Sequence, residues 1–152
     1  MSITEYPAEQ VGAQPIGYWS GAAYRAVVGR IRAELAFEQL TQPHWWTLNH
    51  VGGAPGTWNR ADLADRLQPY DDLGIELEDV FDDLIERGWL SEDDDAFSLT
   101  PAGEAGLARA RERNAGAHAE TLDGIDPADY VTTINTLRRM IANLGGDSDL
   151  TS

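Results

Sequence analysis

The chain has no cysteine among its 152 residues. A disulfide framework and a zinc site built on thiolates are therefore excluded. It also has no lysine, so all 11 basic residues are arginines. No apolar run approaches the roughly 18 residues of a membrane span. The N-terminal stretch lacks the basic and apolar regions of a signal peptide, and the cytoplasm is the expected compartment. There is no phosphate-binding glycine loop, dinucleotide fingerprint or nucleophile elbow. His44 and His50 stand six residues apart, so they do not share a helical face. The run Glu92-Asp93-Asp94-Asp95 lacks the spaced ligands and glycine of a calcium loop. No catalytic residue, metal or cofactor is expected, and the chain does not read as an enzyme.

What is abundant is negative charge. Twenty-six acids against 11 bases give a net charge of −15. Between Asp71 and Asp95 stand 12 acids and one base, Arg87. Such a concentration disfavours phosphate and membrane surfaces and favours basic partners, unless it serves only solubility.

Periodicity and punctuation outline a mainly α chain with a small β-hairpin. Residues 1–15 carry two prolines and no period, and read as a flexible arm. Ile16 to Gln39 reads as a helix with Tyr24, Val27, Val28, Ile31 and Leu35 on one buried stripe. Thr41-Gln42-Pro43 starts a short helix from about His44 to Val51. After a glycine-rich loop, Thr57 reads as the cap of a helix from about Trp58 to Leu67. A turn from Pro69 to Gly74 leads to a second helix, Leu77 to Arg87. Gly88 fits a left-handed position after it. Trp89-Leu90 and Phe97-Ser98-Leu99 read as strands around an acidic loop. Thr100-Pro101 and Asp126-Pro127 start two further helices, to about Ala119 and Leu144. In the last, Tyr130, Ile134, Leu137, Ile141 and Leu144 alternate by four and three, a seam for another helix. Residues 146–152 read as a disordered tail.

This order resembles the multiple-antibiotic-resistance regulator (MarR) family of winged helix-turn-helix proteins. The resemblance spans about Gly17 to Leu144. It rests on Leu40-Thr41-Gln42-Pro43-His44-Trp45-Trp46-Thr47-Leu48, Ala61-Asp62-Leu63-Ala64, Leu84-Ile85-Glu86-Arg87-Gly88-Trp89-Leu90 and Leu99-Thr100-Pro101-Ala102-Gly103. It implies a winged helix-turn-helix domain over 41–100 and a helical dimerisation lobe from 16–40 and 101–145. It further implies a homodimer that regulates transcription, typically as a repressor, by binding double-stranded DNA. Many such proteins release DNA when a small aromatic ligand binds. Dimerisation would fall to Ile16, Tyr130, Ile134, Leu137, Ile141 and Leu144. Tyr18, Trp19, Tyr24, His44 and Trp45 would line an effector pocket, unless those rings are core or dimer packing.

The charges depart from that family. Its second helix carries hydroxyl and basic contacts, where this chain has Glu76, Glu78, Asp79 and Asp83. Its wing carries an arginine for the minor groove, where this chain has only acids. A carboxylate about 4 Å from a phosphate is repelled by roughly 4 kcal/mol in a surface-like dielectric. DNA contact would fall to Arg60, Arg66 and Arg87, helped by Asn59 and Tyr70, with weak affinity. Two alternatives stay open: an acidic winged helix that binds a basic protein instead of DNA, and a ligand sensor that pairs with a related regulator.

Overall fold

Short-range capping chemistry sets where most helices begin, and the computed structural model shows them from residue 2 to residue 151. The first two helices are α1 (Ala8–Gly12) and α2 (Ile16–Ala36). The segment read as a flexible arm thus contains a helical turn, begun by Pro7. Helix α3 spans Gln42–Gly53, with His44 at its third position accepting from the backbone N–H of Thr41. Helix α4 spans Arg60–Leu67 and runs into a 3-10 turn, Gln68–Tyr70. Helix α5 spans Leu77–Glu86. Strands β1 (Leu90–Asp93) and β2 (Ala96–Leu99) pair antiparallel, with Leu90 opposite Leu99 and Glu92 opposite Phe97. Helices α6 (Pro101–Thr121) and α7 (Pro127–Asn143) complete the chain.

Thr57 is not the cap of α4. Asn59 is, and its side chain accepts from Asp62 N at 2.8 Å. The reason lies in the preceding residues. Gly56 N donates to Phe97 O, and Phe97 N donates to Trp58 O, both at 2.8 Å. Trp58 is thereby held beside β2, and the helix cannot start before Arg60. Acids read as a loop are also partly strand: only Asp94 and Asp95 turn the hairpin, at φ of 52° and 60°. Aspartate tolerates this left-handed region better than most residues, and two such residues suit a tight hairpin.

The chain divides into two compact units between Ala117 and His118. In the first, Leu35, Leu48, Leu63, Leu67, Leu77, Val80, Phe81, Leu84 and Phe97 form the core. Phe81 and Phe97 meet at 5.0 Å between ring centroids, joining α5 to the hairpin. The stripe predicted for α2 is not buried within one chain. Only Leu35 is buried, while Tyr24 and Val27 are exposed. In the second unit Asp126 caps α7, accepting from Ala128 N at 2.8 Å. Helix α7 buries no residue in the single chain. The segment read as a disordered tail is tied to α7, where Gly146 N donates to Ile141 O at 3.0 Å and Arg138 Nε donates to Ser148 O at 2.7 Å.

Trp89 fixes how α6 joins the hairpin. Its carbonyl accepts from Thr100 N at 3.0 Å. A Cβ on Gly103 would lie 2.0 Å from that carbonyl oxygen, and one on Gly106 would lie 2.4 Å from the indole ring. Both positions need glycine for close approach. Gly116, on the same helix, has nothing within 4 Å of its would-be Cβ. Gly103→Ala is therefore expected to destabilise by about 1–3 kcal/mol through overpacking. Gly116→Ala is expected to stabilise by about 0.5–1 kcal/mol through helix propensity. Urea denaturation midpoints of the two variants against the parent test this opposite pair of signs.

Candidate nucleic-acid interface

Helices α4 and α5, the turn between them and the hairpin form a winged helix-turn-helix. The outer face of α5 presents Glu78, Asp79, Asp82 and Glu86, all exposed. Asp93, Asp94 and Asp95 continue the acidic surface onto the wing. The arginine best placed to offset this charge is already engaged. Arg60 Nη1 lies 2.8 Å from Glu78 Oε2, Nη2 lies 2.9 Å from Asp82 Oδ1, and Nε lies 2.9 Å from Glu92 Oε2. Its guanidinium also stands 5.7 Å from the centroid of the Phe97 ring. Burial works against the charge of Arg60, but the hydrogen bonds it donates to the three carboxylates outweigh it and raise the pKa. Arg60 therefore locks α4, α5 and β1 together, and three acids surround one base.

Arg87 is also committed to structure. Its Nη1 donates to Glu38 O at 3.2 Å and its Nη2 to Gln39 O at 2.8 Å. Gln39 reaches this position at a φ of 55°, in the left-handed turn that ends α2. Arg87 also pairs with Asp83 at 2.7 Å. Asn59 is occupied as the α4 cap. Tyr70 is 53% exposed and meets Trp46 edge to face. Arg66 lies in the last turn of α4. Of the five residues expected at DNA, Asn59, Arg60 and Arg87 are held within the fold, Arg66 is half-buried, and Tyr70 stands at the surface.

No family model matches the sequence, and no curated protein matches it. Solved structures do. A MarR family protein of Mycobacterium tuberculosis, Rv2887, in complex with p-aminosalicylic acid, is 22% identical. The match covers 88% of this chain and all of that one, with a TM-score of 0.60. The same protein in complex with DNA is 23% identical over 88% of this chain and 99% of that one, with a TM-score of 0.63. A MarR family transcriptional regulator from Silicibacter pomeroyi is 18% identical over 91% and 99%, with a TM-score of 0.69.

The fold is that of the MarR family. At these identities the likeness concerns the backbone. Of the residues expected in a MarR effector pocket, the structure brings Tyr18 and Trp19 together, edge to face at 5.3 Å. Trp19 lines an open groove of about 1140 Å³ with Ile3, Tyr6, Val11 and Ile16. The other three lie elsewhere. Trp45 is half-buried against the core. Tyr24 donates its hydroxyl to Asp72. His44 is buried and faces Asp83 on α5. Of the residues expected to pair two MarR-type chains, Ile16, Tyr130, Ile141 and Leu144 are exposed, and Ile134 and Leu137 are half-buried.

Two links escaped the sequence reading because they join distant positions. Asp72, in the turn before α5, is held by Tyr24 and by Arg32, whose Nη2 lies 2.6 Å from Asp72 Oδ1. The Tyr24 hydrogen bond, then the charge of Arg32, outweighs partial burial and keeps the Asp72 carboxyl below the usual carboxylate range. His44 Nε2 stands 2.8 Å from Asp83 Oδ2 on α5. With Nδ1 accepting from Thr41 N at 3.2 Å, the ring is the neutral Nε2–H tautomer and donates to Asp83. Burial lowers the His44 pKa below its ordinary 6.5, although Asp83 pulls the other way.

The sign of the pH dependence follows. The unfolded chain binds the proton at a higher pH than the folded chain does. The stability given by neutral His44 is complete above about pH 6.5 and is lost as pH falls toward the lower folded value. His44→Gln keeps a capping-box residue at that helical position but removes the titration. Thermal melts between pH 7.5 and 5 should show a falling Tm for the parent and a flatter profile for His44→Gln. Parallel profiles would contradict the assignment.

Proposed function

We propose that the chain is a homodimeric regulator of transcription that binds double-stranded DNA through its winged helix-turn-helix and responds to a small aromatic effector. The observation that carries this reading is the arrangement of α4, α5 and the hairpin on a MarR-type backbone. A protein of this fold has been solved with DNA and with p-aminosalicylic acid. Among the described residues no helix is long and apolar enough to cross a membrane. The site of action is the cytoplasm, and no catalytic step or cofactor is involved.

The dimer reading rests on uncovered apolar residues. Ile16, Trp19 and Tyr24 are each about half exposed, and Leu144 is 89% exposed. A second copy covering these faces supplies the burial that one chain lacks. Residues 16–40 and 101–145 form the dimerisation lobe in this reading. Light scattering should give twice the chain mass, and Ile134→Arg should give the single-chain mass.

DNA contact falls to Arg60, Arg66 and Arg87, with Asn59 and Tyr70, and the internal ion pairs of Arg60 and Arg87 compete with it. Affinity is consequently weak, in the micromolar range typical of non-specific complexes. Fluorescence anisotropy with the promoter segment beside the protein's own gene, at low salt, measures it. The double variant Glu78→Gln, Asp79→Asn removes two charges facing phosphate and loosens Arg60. It should bind about fivefold or more tightly. The Arg60 ion pairs favour a second reading, in which the acidic face receives a basic protein. No DNA binding by parent or double variant at 100-fold higher protein concentration would transfer the function to that second reading.

A further inference from the structure

We propose that the cavity between α3, β2 and α6 binds a free amino acid with an apolar side chain, its carboxylate on Arg111 and its ammonium on Glu104. The cavity has a volume of about 420 Å³, within the range of small-molecule sites. Its inner wall is apolar. Gly52, in the last turn of α3, faces Leu107 of α6 and Leu99 of β2. A Cβ on Gly52 would stand 3.0 Å from Leu107 Cδ2 and 3.2 Å from Leu99 Cδ1. On α6, Glu104, Leu107, Ala108 and Arg111 are spaced by three, one and three, so they share one face. All four line this cavity, and Glu104, Ala108 and Arg111 are exposed at its mouth. One charge of each sign therefore borders an apolar floor.

Arg111 differs from most of the arginines in its partner. Arg30, Arg32, Arg60, Arg87, Arg109 and Arg113 each face a carboxylate. Arg111 faces a neutral amide, where its Nε and Nη2 donate to Asn49 Oδ1 at 3.2 and 3.0 Å. Asn49 is itself fixed, since its Nδ2 donates to Trp45 O at 2.8 Å. Helix α3 thus aims the guanidinium without neutralising it, in a chain of net charge −15. Among the described residues, neither Arg111 Nη1 nor the Glu104 carboxylate has a hydrogen-bond partner.

The spacing selects the ligand. Glu104 and Arg111 lie seven residues apart, about 10.5 Å along the helix axis. A charge-assisted hydrogen bond of about 2.8 Å at each end leaves about 5 Å between them. An extended chain advances about 3.5 Å per residue, so the gap suits one amino acid better than a longer peptide. Its side chain packs on Leu99 and Leu107. No aromatic ring lines this cavity, and it shares no residue with the groove at Trp19. A ligand held there braces β2, one strand of the wing, against α6. That last consequence rests on the regulator reading above; the binding does not.

Calorimetric titration of the full chain with L-leucine, read beside backbone amide shifts, tests the proposal. Leucine should bind with a Kd of about 1 mM and shift the amides of Gly52, Leu99 and Ala108 more than those of α7. L-Leucinamide lacks the carboxylate and N-acetyl-L-leucine lacks the ammonium. Each should bind at least about tenfold more weakly. Arg111→Gln and Glu104→Gln should each weaken leucine binding by the same factor. Ala108→Trp, at an exposed position, fills the cavity and should abolish it. Thermal melts confirm that each variant is folded. Equal binding of either derivative, retained binding by any of the three variants, shifts centred elsewhere, or no binding of leucine by the parent overturns the proposal. No DNA enters the titration, so its failure and failure of the DNA assay are distinguishable.

Discussion

A single guanidinium ties the winged helix-turn-helix of this protein together. Arg60 reaches two carboxylates on α5 and one on β1 while lying over Phe97, the ring at the centre of the hairpin. Its position ties helix, reading helix and wing into one body. The same contact removes from the outer surface the charge that a phosphate would meet. Structural cohesion and nucleic-acid affinity thus draw on one side chain, and in this arrangement cohesion takes it. Arg87 repeats the choice at the other end of α5, where it satisfies the carbonyls that end α2.

The position of α5 is consequently set from several sides. Arg87 anchors its C-terminal end to the end of α2. His44 reaches Asp83 from the first turn of α3. Asp72 ties the turn before it to the middle of α2. The core beneath, built on Phe81 and Phe97, keeps the helix seated. Among these links the Asp72 tie is exposed and polar, whereas the others are more sheltered or apolar.

Much of the architecture was legible in local chemistry. Thr100 and Asp126 announced α6 and α7, and Gly88 adopts the left-handed conformation that its place after α5 required. The error at Thr57 has a tertiary cause, since Trp58 is held beside β2 by a hydrogen bond to Phe97. Local sequence pointed to Thr57, and the hairpin moved the start of the helix to Asn59. The stripe on α2 was visible as a period, but a period does not say what covers it. The pairs at Arg60, Arg87 and His44 join residues up to 49 positions apart, and no spacing rule reaches that far. The aromatic residues of the first helices were legible as a group but not as a pocket, because His44 is used in capping α3 and Tyr24 in holding Asp72.

The account turns on electrostatics more than on fold. If the winged helix meets DNA as proposed, a face on which acids hold Arg60 releases few counterions. The direct measurement is the slope of log Kd against log salt concentration for the purified protein on a defined duplex. The account predicts a shallow slope, of magnitude about 3 or less, against the 6–10 phosphate contacts of an ordinary reader. A steep slope of about 6 or more, with nanomolar binding at low salt, would contradict it.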